Sequence, residues 1–285
     1  MCSPDVMKIV GRQLTGERRL SRRSMIATGA SAALAAGLVR SGVIAQSATP
    51  ETRVRELIVD LTYTMTPDIP IWPGNEPFQA EPVKTFADNG FYAQQVSFWE
   101  HTGTHLDSPA HFDEGNITAE LIPAVNLYAP LVVVDISARA ADDPDAALTV
   151  DALLAYESEY GEIPAGAFVA MDSGWSVRWD DPETFVNLDA DGVQHYPGFH
   201  PDAAEFLVTQ RDIVGIGVDT LSQDPGNSTD FGTHITILGA GKYGVEGLAQ
   251  LDLAQRAGAM IFVGGPKHEH ASGGPARVIA LNQAM

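Results

Sequence analysis

Residues 101–111 read HTGTHLDSPAH, placing three imidazoles and one carboxylate within eleven positions. Imidazole and carboxylate hold divalent metals and also carry protons near neutral pH. A helix is a poor host for them. Thr102, Gly103 and Thr104 separate the first two histidines and Pro109 follows, so an extended chain is expected. Alternate residues of an extended chain share a face, which points His101, His105, Asp107 and His111 the same way. Residues two apart lie about 6.6 Å from each other, so His105 and Asp107 can chelate one ion. His101 would lie about 13 Å from His105, too far for two metal–nitrogen bonds of about 2.1 Å to meet easily. Either Gly103 bends the chain, or His101 serves a second ion about 3.5–4 Å from the first. His111, beyond a Ser-Pro turn, is better placed to carry a proton beside the metal than to ligate it.

A divalent ion there would lower the pKa of water toward about 7 and polarise a carbonyl oxygen, while a histidine protonates the leaving group. Such pairs need ligands from elsewhere in the chain. The other histidines are His195, His200, His234, His268 and His270. His234 opens an apolar stretch read as a strand, where an imidazole needs a reason to be. Glu246 follows twelve residues later, at the expected start of a helix, where a carboxylate is also favoured by the helix dipole. His268-Glu269-His270 sits in a Gly/Pro-rich loop and reads equally well as a solvated tip. Spacing alone leaves these choices open.

The elements around the motif alternate. Strands are expected at 54–61, 91–99, 131–136, 168–171 and 213–218, with further strands at 234–238, 259–263 and 277–281. Helices are expected at 150–160, 201–210 and 245–257. The segment from Thr66 to Asn75 is dense in Pro and Gly and must be a loop. No internal repeat appears after residue 52. One mixed α/β domain over residues 53–285 is the economical reading.

The first 45 residues differ from the rest. Ser21-Arg22-Arg23-Ser24-Met25-Ile26 precedes a small apolar run to Val39, and Val43-Ile44-Ala45 offers a cleavage site. The pattern is that of a twin-arginine export signal, followed by a short polar linker at 46–52. The run is too short and too weakly apolar to span about 30 Å of hydrocarbon, so a membrane anchor is disfavoured. The expected location is the periplasm or the exterior. The full chain carries a formal charge of −20, and the leader holds seven of its Lys/Arg against two acids. The remainder is therefore more acidic still, which disfavours nucleic acid and anionic lipid as partners. The single cysteine is Cys2. A chain cut after the leader has no thiol, so any metal must be held by His, Asp and Glu.

The run from His101 to His111 resembles the HxGTHxDxPxH signature of the metal-dependent cyclase/hydrolase family, which includes bacterial kynurenine formamidase and isatin hydrolase. The resemblance extends from about residue 55 to the C-terminus. Ile71-Trp72-Pro73-Gly74-Asn75 is similar to the family's WPGD loop, with Asn75 in place of Asp. Gly215-Ile-Gly-Val-Asp219-Thr-Leu-Ser222 is similar to its G-x-D-x-x-S stretch, and Gly274-Pro275-Ala276-Arg277 to its GxPxR segment. The resemblance implies that His101, His105 and Asp107 are metal ligands and His111 the acid–base residue. It implies that His234 and Glu246 complete the site and that Trp72 lines a substrate pocket. It also implies a compact α/β fold on a mixed, barrel-like β-sheet flanked by helices. One or two divalent ions, zinc foremost and manganese second, and a homo-oligomer (dimer or tetramer) come with it. The export signal fits poorly with a cytoplasmic tryptophan-degrading role, so the chemistry carries over better than the substrate.

The expected activity is hydrolysis of a small non-peptide amide, cyclic amide or lactone. A lyase or cyclising enzyme on the same ion, and an exported metal- or ligand-binding protein without turnover, are the alternatives. Gly239-Ala-Gly241-Lys-Tyr-Gly244 formally matches a dinucleotide fingerprint, but only about forty residues follow it, too few to complete such a domain. No GxSxG elbow occurs, which disfavours a serine α/β-hydrolase.

Overall fold

The described part of the computed structural model is residues 57–284. The leader at 1–45, the linker at 46–52 and the first residues of the expected domain lie outside it. Thirteen strands are present in that part. They are β1 Ile58–Asp60, β2 Gln79–Lys84, β3 Ala93–Ser97, β4 His105–Asp107, β5 Tyr128–Asp135, β6 Ala147–Leu148 and β7 Ala167–Asp172. After these come β8 Gly198–Phe199, β9 Ile213–Val218, β10 Tyr243–Glu246, β11 Met260–Gly264, β12 Gly273–Pro275 and β13 Arg277–Leu281. The helices are α1 Phe86–Asn89, α2 Ser137–Asp142, α3 Val150–Tyr160, α4 Pro182–Val186, α5 Pro201–Gln210 and α6 Gly232–Gly239. No helix among the described residues is long and apolar enough to cross a membrane.

Nine strands form one mixed sheet in the order β1-β13-β11-β5-β7-β9-β10-β4-β12. Its middle, β5-β7-β9-β10, is parallel, and both flanks are antiparallel. The unbroken apolar runs of β5, β7 and β9 follow from burial on both faces. Val132, Val134, Val169, Met171, Ile216 and Val218 pack against Leu153 of α3, Leu207 of α5 and Ile237 of α6. The alternate residues Leu131, Val133, Phe168 and Ala170 face a second core. Among the described residues no helix layer closes that core. Val59 of β1, Ile261 of β11 and Val278 of β13 join Leu106 of β4 and Val245 of β10 there, so the two flanks of the sheet curl toward each other over it. The result is a strongly curled half-barrel, in agreement with the barrel-like α/β fold implied by the resemblance.

The curl positions the motif. β4 lies between β10 and β12, with Glu246 opposite His105 and Gly244 opposite Asp107. Leu106 turns to the core while His105 and Asp107 take the other face, as strand alternation requires. Only these three residues of the motif are strand. Gly103 adopts φ +68° and turns the chain, and Pro109–His111 form a 3₁₀ turn. A single extended face from 101 to 111 is therefore not what forms; the bend at Gly103 is.

Two further expectations are corrected. Residues 234–238 are not a strand but part of helix α6, whose buried Thr233, His234, Ile237 and Leu238 follow helical spacing. The expected helix at 245–257 is instead the end of β10 followed by a 3₁₀ turn at Leu251–Leu253. Gly247 at φ +64° and Gln250 at φ +52° break any helix through that stretch.

Candidate metal centre and its cavity

Four side chains from three elements converge on one point. His105 and Asp107 come from β4, Glu246 from the neighbouring β10, and His234 from the first turn of α6. Donor atoms of His105, Asp107 and Glu246 lie within 4.8 Å of one another, all buried. His105 Nε2 is 3.3 Å from both Asp107 Oδ1 and Glu246 Oε2. His234 Nε2 is 3.1 Å from Glu246 Oε1 and 3.5 Å from Asp107 Oδ2. A second cluster, His101, Asp107 and His111, shares Asp107 with the first. There His101 Nδ1 donates to Asp107 Oδ1 at 2.6 Å, and the His101 and His111 rings stack at 3.8 Å.

The outer hydrogen bonds fix which nitrogens face inward. His105 Nδ1 donates to the Gly103 carbonyl at 2.9 Å, and His234 Nδ1 donates to Asp224 Oδ2 at 2.6 Å. Each Nε2 is thereby aimed inward at carboxylate oxygens of Asp107 and Glu246. His105 Nε2 is buried and has no hydrogen-bond partner. Two carboxylates facing inward nitrogens demand positive charge, from protons on the rings or from a cation, and the outer ring–acceptor bonds are the usual support for a metal-bound histidine. The donor set fits a divalent cation of the zinc or manganese type, all nitrogen and oxygen with no thiolate.

The charges respond as that crowding requires. Burial alone would lower the His105 pKa, but Asp107 and then Glu246 outweigh it and lift it to about 10. His234 is raised well above the ordinary imidazole range despite burial, by Asp107, Asp224 and Glu246. Burial opposes the charge on Asp107, yet His101 and His105 hold its pKa well below the usual value. Glu246 is also lowered: burial and Asp107 push it up, and the neighbouring His105 and His234 more than compensate. His111 goes the other way. Burial, reinforced by His101 and His234, brings it down to about 4 against the pull of Asp107, which keeps its ring neutral and able to take a proton at neutral pH.

A cavity of about 500 Å³ opens over this centre. His101, His105, His111, His234 and Glu246 reach its floor, and Trp72, Trp99, Phe112 and Phe231 form much of its wall, with Asn75, Glu100 and Ser222 among the polar lining. Phe112 and Phe231 lie 5.5 Å apart and Trp72 lies 6.3 Å from Phe231. Glu100 sits on the rim. Burial disfavours its charge, but Ser272 and His268 hold its pKa below the usual carboxylate value.

All six residues singled out from the sequence as ligands or proton carrier lie at this one centre, and Trp72 lies in the wall above it. The remaining histidines do not approach it directly. His195 bridges Asp145 and Asp189, His200 caps α5, His268 pairs with Glu100, and His270 is exposed. Asp224 and Ser272 are among the contributors that went unnoticed in the sequence. Asp224 accepts from the backbone of Thr233 and His234 and from the His234 ring, so one carboxylate both starts α6 and aims its histidine. Ser272 bonds His101 Nε2 at 3.0 Å and Glu100 at 2.6 Å. Neither carries a local signal, since each acts on residues distant in sequence. Asp219 turns away from the centre. It accepts from Ser173 and Trp175, and burial pushes its pKa up to about 7, so the Asp172–Ser176 cluster is a braced loop after β7.

Comparison with known proteins places this geometry. Residues 59–225 match the Cyclase family. The chain is 33% identical to the isatin hydrolase of Roseibium aggregatum over 79% of its own length and 91% of that protein. It is 29% identical to the kynurenine formamidase of Geobacillus thermodenitrificans, over 67% and 81% of the two chains. The solved structure of isatin hydrolase A from Ralstonia solanacearum superposes with a TM-score of 0.75 at 37% identity, over 79% of this chain and 92% of that one. The chain belongs to the Cyclase family. It is a hydrolase of that family; of the dinucleotide-like glycines, Gly239 and Gly241 serve the turn between α6 and β10, while Gly244 lies in β10.

Proposed function

We propose that this Cyclase-family protein hydrolyses a flat, small cyclic amide or N-acyl aromatic amide, of the kind represented by isatin and N-formylkynurenine. The observation that carries the reading is the convergence of His105, Asp107, His234 and Glu246 beneath an aromatic-walled cavity. Those four residues would hold a divalent cation, zinc first and manganese second, with His101 able to bring in a second ion through the shared Asp107. When bound, such an ion supplies a nucleophilic water near neutral pH and polarises the substrate carbonyl. The protein's own groups do the rest. Trp72, Trp99, Phe112 and Phe231 hold an aromatic ring and keep bulk water from the floor. His111, neutral at the start, accepts a proton at the cavity floor and returns it to the departing nitrogen, so the amine leaves uncharged. Asp224 keeps the His234 ring in one tautomer throughout.

The test is elemental analysis of the purified protein followed by assay with isatin, N-formylkynurenine and simple lactones. Metal uptake without turnover of any of them would favour the binding-protein alternative over the hydrolase.

The export signal supports action outside the cytoplasm after cleavage near Ala45; N-terminal sequencing of protein from fractionated cells tests this. A homo-oligomer is supported by the β2–β3 ribbon, a separate two-stranded sheet whose Val83 and Val96 are exposed together with Tyr92 just before β3. Light scattering on the eluting peak measures its size.

A further inference from the structure

Between β9 and α6 the chain runs Ser222-Gln223-Asp224, and the middle residue is fully buried beside the centre. Its side-chain Nε2 donates to Asp107 Oδ2 at 2.7 Å, and its backbone N donates to Glu246 Oε1 at 3.0 Å. One residue thus holds both acidic groups of the centre, which belong to different strands. The amide reaches Asp107 across Gly244. Gly244 stands directly opposite Asp107 in the β10–β4 pair, where facing residues put their side chains on the same side of the sheet. A Cβ on Gly244 would lie 2.0 Å from Gln223 Nε2 and 2.4 Å from its Cδ. The backbone at 244 is ordinary strand, so this glycine is needed for room and not for an unusual dihedral. Gln223 Oε1 is buried without a hydrogen-bond partner, so the amide is held by its donor side alone.

We propose that Gln223 is a positioning residue of the metal centre, fixing Asp107 and Glu246 as a matched pair, and that residue 244 is glycine to admit it. The inference rests on the metal reading above. The chemistry favours an amide at this place. A carboxylate would add a further negative charge beside Asp107, Glu246 and Asp224, while an ammonium or guanidinium would neutralise the carboxylates and compete with the cation. A neutral N–H donor orients the acid without doing either. Gln223 is not among the residues lining the cavity, so it acts on the reaction through the acids it holds.

The experiment titrates the native chain and variants with Zn²⁺ and with Mn²⁺ against a chromogenic chelator, and measures thermal unfolding of each with EDTA present. Gln223→Met keeps the length while removing both the donor and the unpaired acceptor. Its metal dissociation constant should rise about 10–100-fold, with the EDTA-treated melting temperature close to native and KM unchanged at saturating metal. Gln223→Glu should lose more affinity than Gln223→Met. Gly244→Ala should weaken binding in the native background but add little to Gln223→Ala, because the crowding is gone. Native affinity in Gln223→Met overturns the proposal, as does an affinity loss that merely tracks lost stability. An equal cost of Gly244→Ala with and without Gln223 overturns it independently, should the methionine variant fold poorly. A native chain that takes up neither ion sinks the metal reading itself, which separates the two failures.

Discussion

The middle of the sheet and its curled end are continuous in hydrogen bonding yet built on opposite terms. In β5, β7 and β9 nearly every inward side chain is aliphatic or aromatic and sits in one of two apolar clusters. At the β10-β4-β12 end, the same strand geometry buries His105, Asp107 and Glu246 on one face of the sheet. Burying apolar area stabilises by about 25 cal/mol per Å². Burying charges costs several kcal/mol each unless partners answer them. The curled end therefore depends on the middle: the apolar strands hold in place a set of buried polar groups that contributes little apolar area of its own. A bound cation would make that set favourable in its own right.

The comparison breaks most visibly at Asp107, the group common to both histidine clusters. Asp107→Asn should lose bound metal and lower kcat on the order of 1,000-fold, reflecting several kcal/mol of lost transition-state stabilisation. Far-ultraviolet circular dichroism should be unchanged, because the middle of the sheet does not rely on it. A variant that turns over normally would mean the acid is not a ligand.

His111→Ala probes the same end more narrowly. It should retain metal, since the four central donors remain, and lose about 10²–10⁴ in kcat, the usual worth of a placed proton carrier. Metal content and steady-state rates on one preparation decide it. Equal loss of metal and rate would make His111 a ligand, and an unchanged rate would remove it from the reaction.

Leu153→Ala makes the opposite change. Leu153 is fully buried on α3 against the parallel strands, so truncation should cost about 2–5 kcal/mol in denaturant unfolding. The kcat and metal affinity of the folded fraction should stay native. A loss of metal affinity at constant fold would show that the two ends are coupled more tightly than the contacts suggest.

The contrast also governs what the sequence reveals. Helix α3 at 150–160, α5 at 201–210 and strand β9 at 213–218 have the expected bounds, because Thr149, Pro201 and the apolar runs are local signals. The functional end is legible in its residues but not in its elements. The run His234-Ile-Thr-Ile-Leu238 is rich in β-branched side chains and reads as a strand. It is a helix because Asp224, ten residues earlier, supplies the N-terminal acceptor. The stretch after Glu246 is full of helix formers, yet Gly247 takes a left-handed turn and packs against Gly103, where a Cβ would meet the carbonyl oxygen at 2.9 Å. Strand β4, three residues long and mostly polar, earns its conformation from pairing on both sides. Propensity decides where packing is apolar and repetitive; long-range contacts decide where the chemistry is.

The smallest expected effect sharpens the difference between ion pairs that matter for the fold and those that matter for the site. Glu157 on α3 receives Arg211 in a two-pronged contact at 2.6 and 2.7 Å and also accepts from Ile163 N. Arg211 is the first cause of its lowered pKa, yet the pair is only partly buried, with 17% of the Arg211 and 11% of the Glu157 side chain exposed, so desolvation and residual screening offset most of the attraction. Glu157→Gln should therefore cost only about 0.2–1 kcal/mol, and less in high salt. Because folding lowers the pKa of Glu157, its contribution is present above the unfolded value of about 4.3 and fades as pH falls through the folded one. Native and variant stabilities should thus converge below pH 4 and separate above it. Urea melts across that range, with turnover unchanged at neutral pH, are the check. A gap that persists in acid would assign the loss to packing of the long side chain and not to its charge.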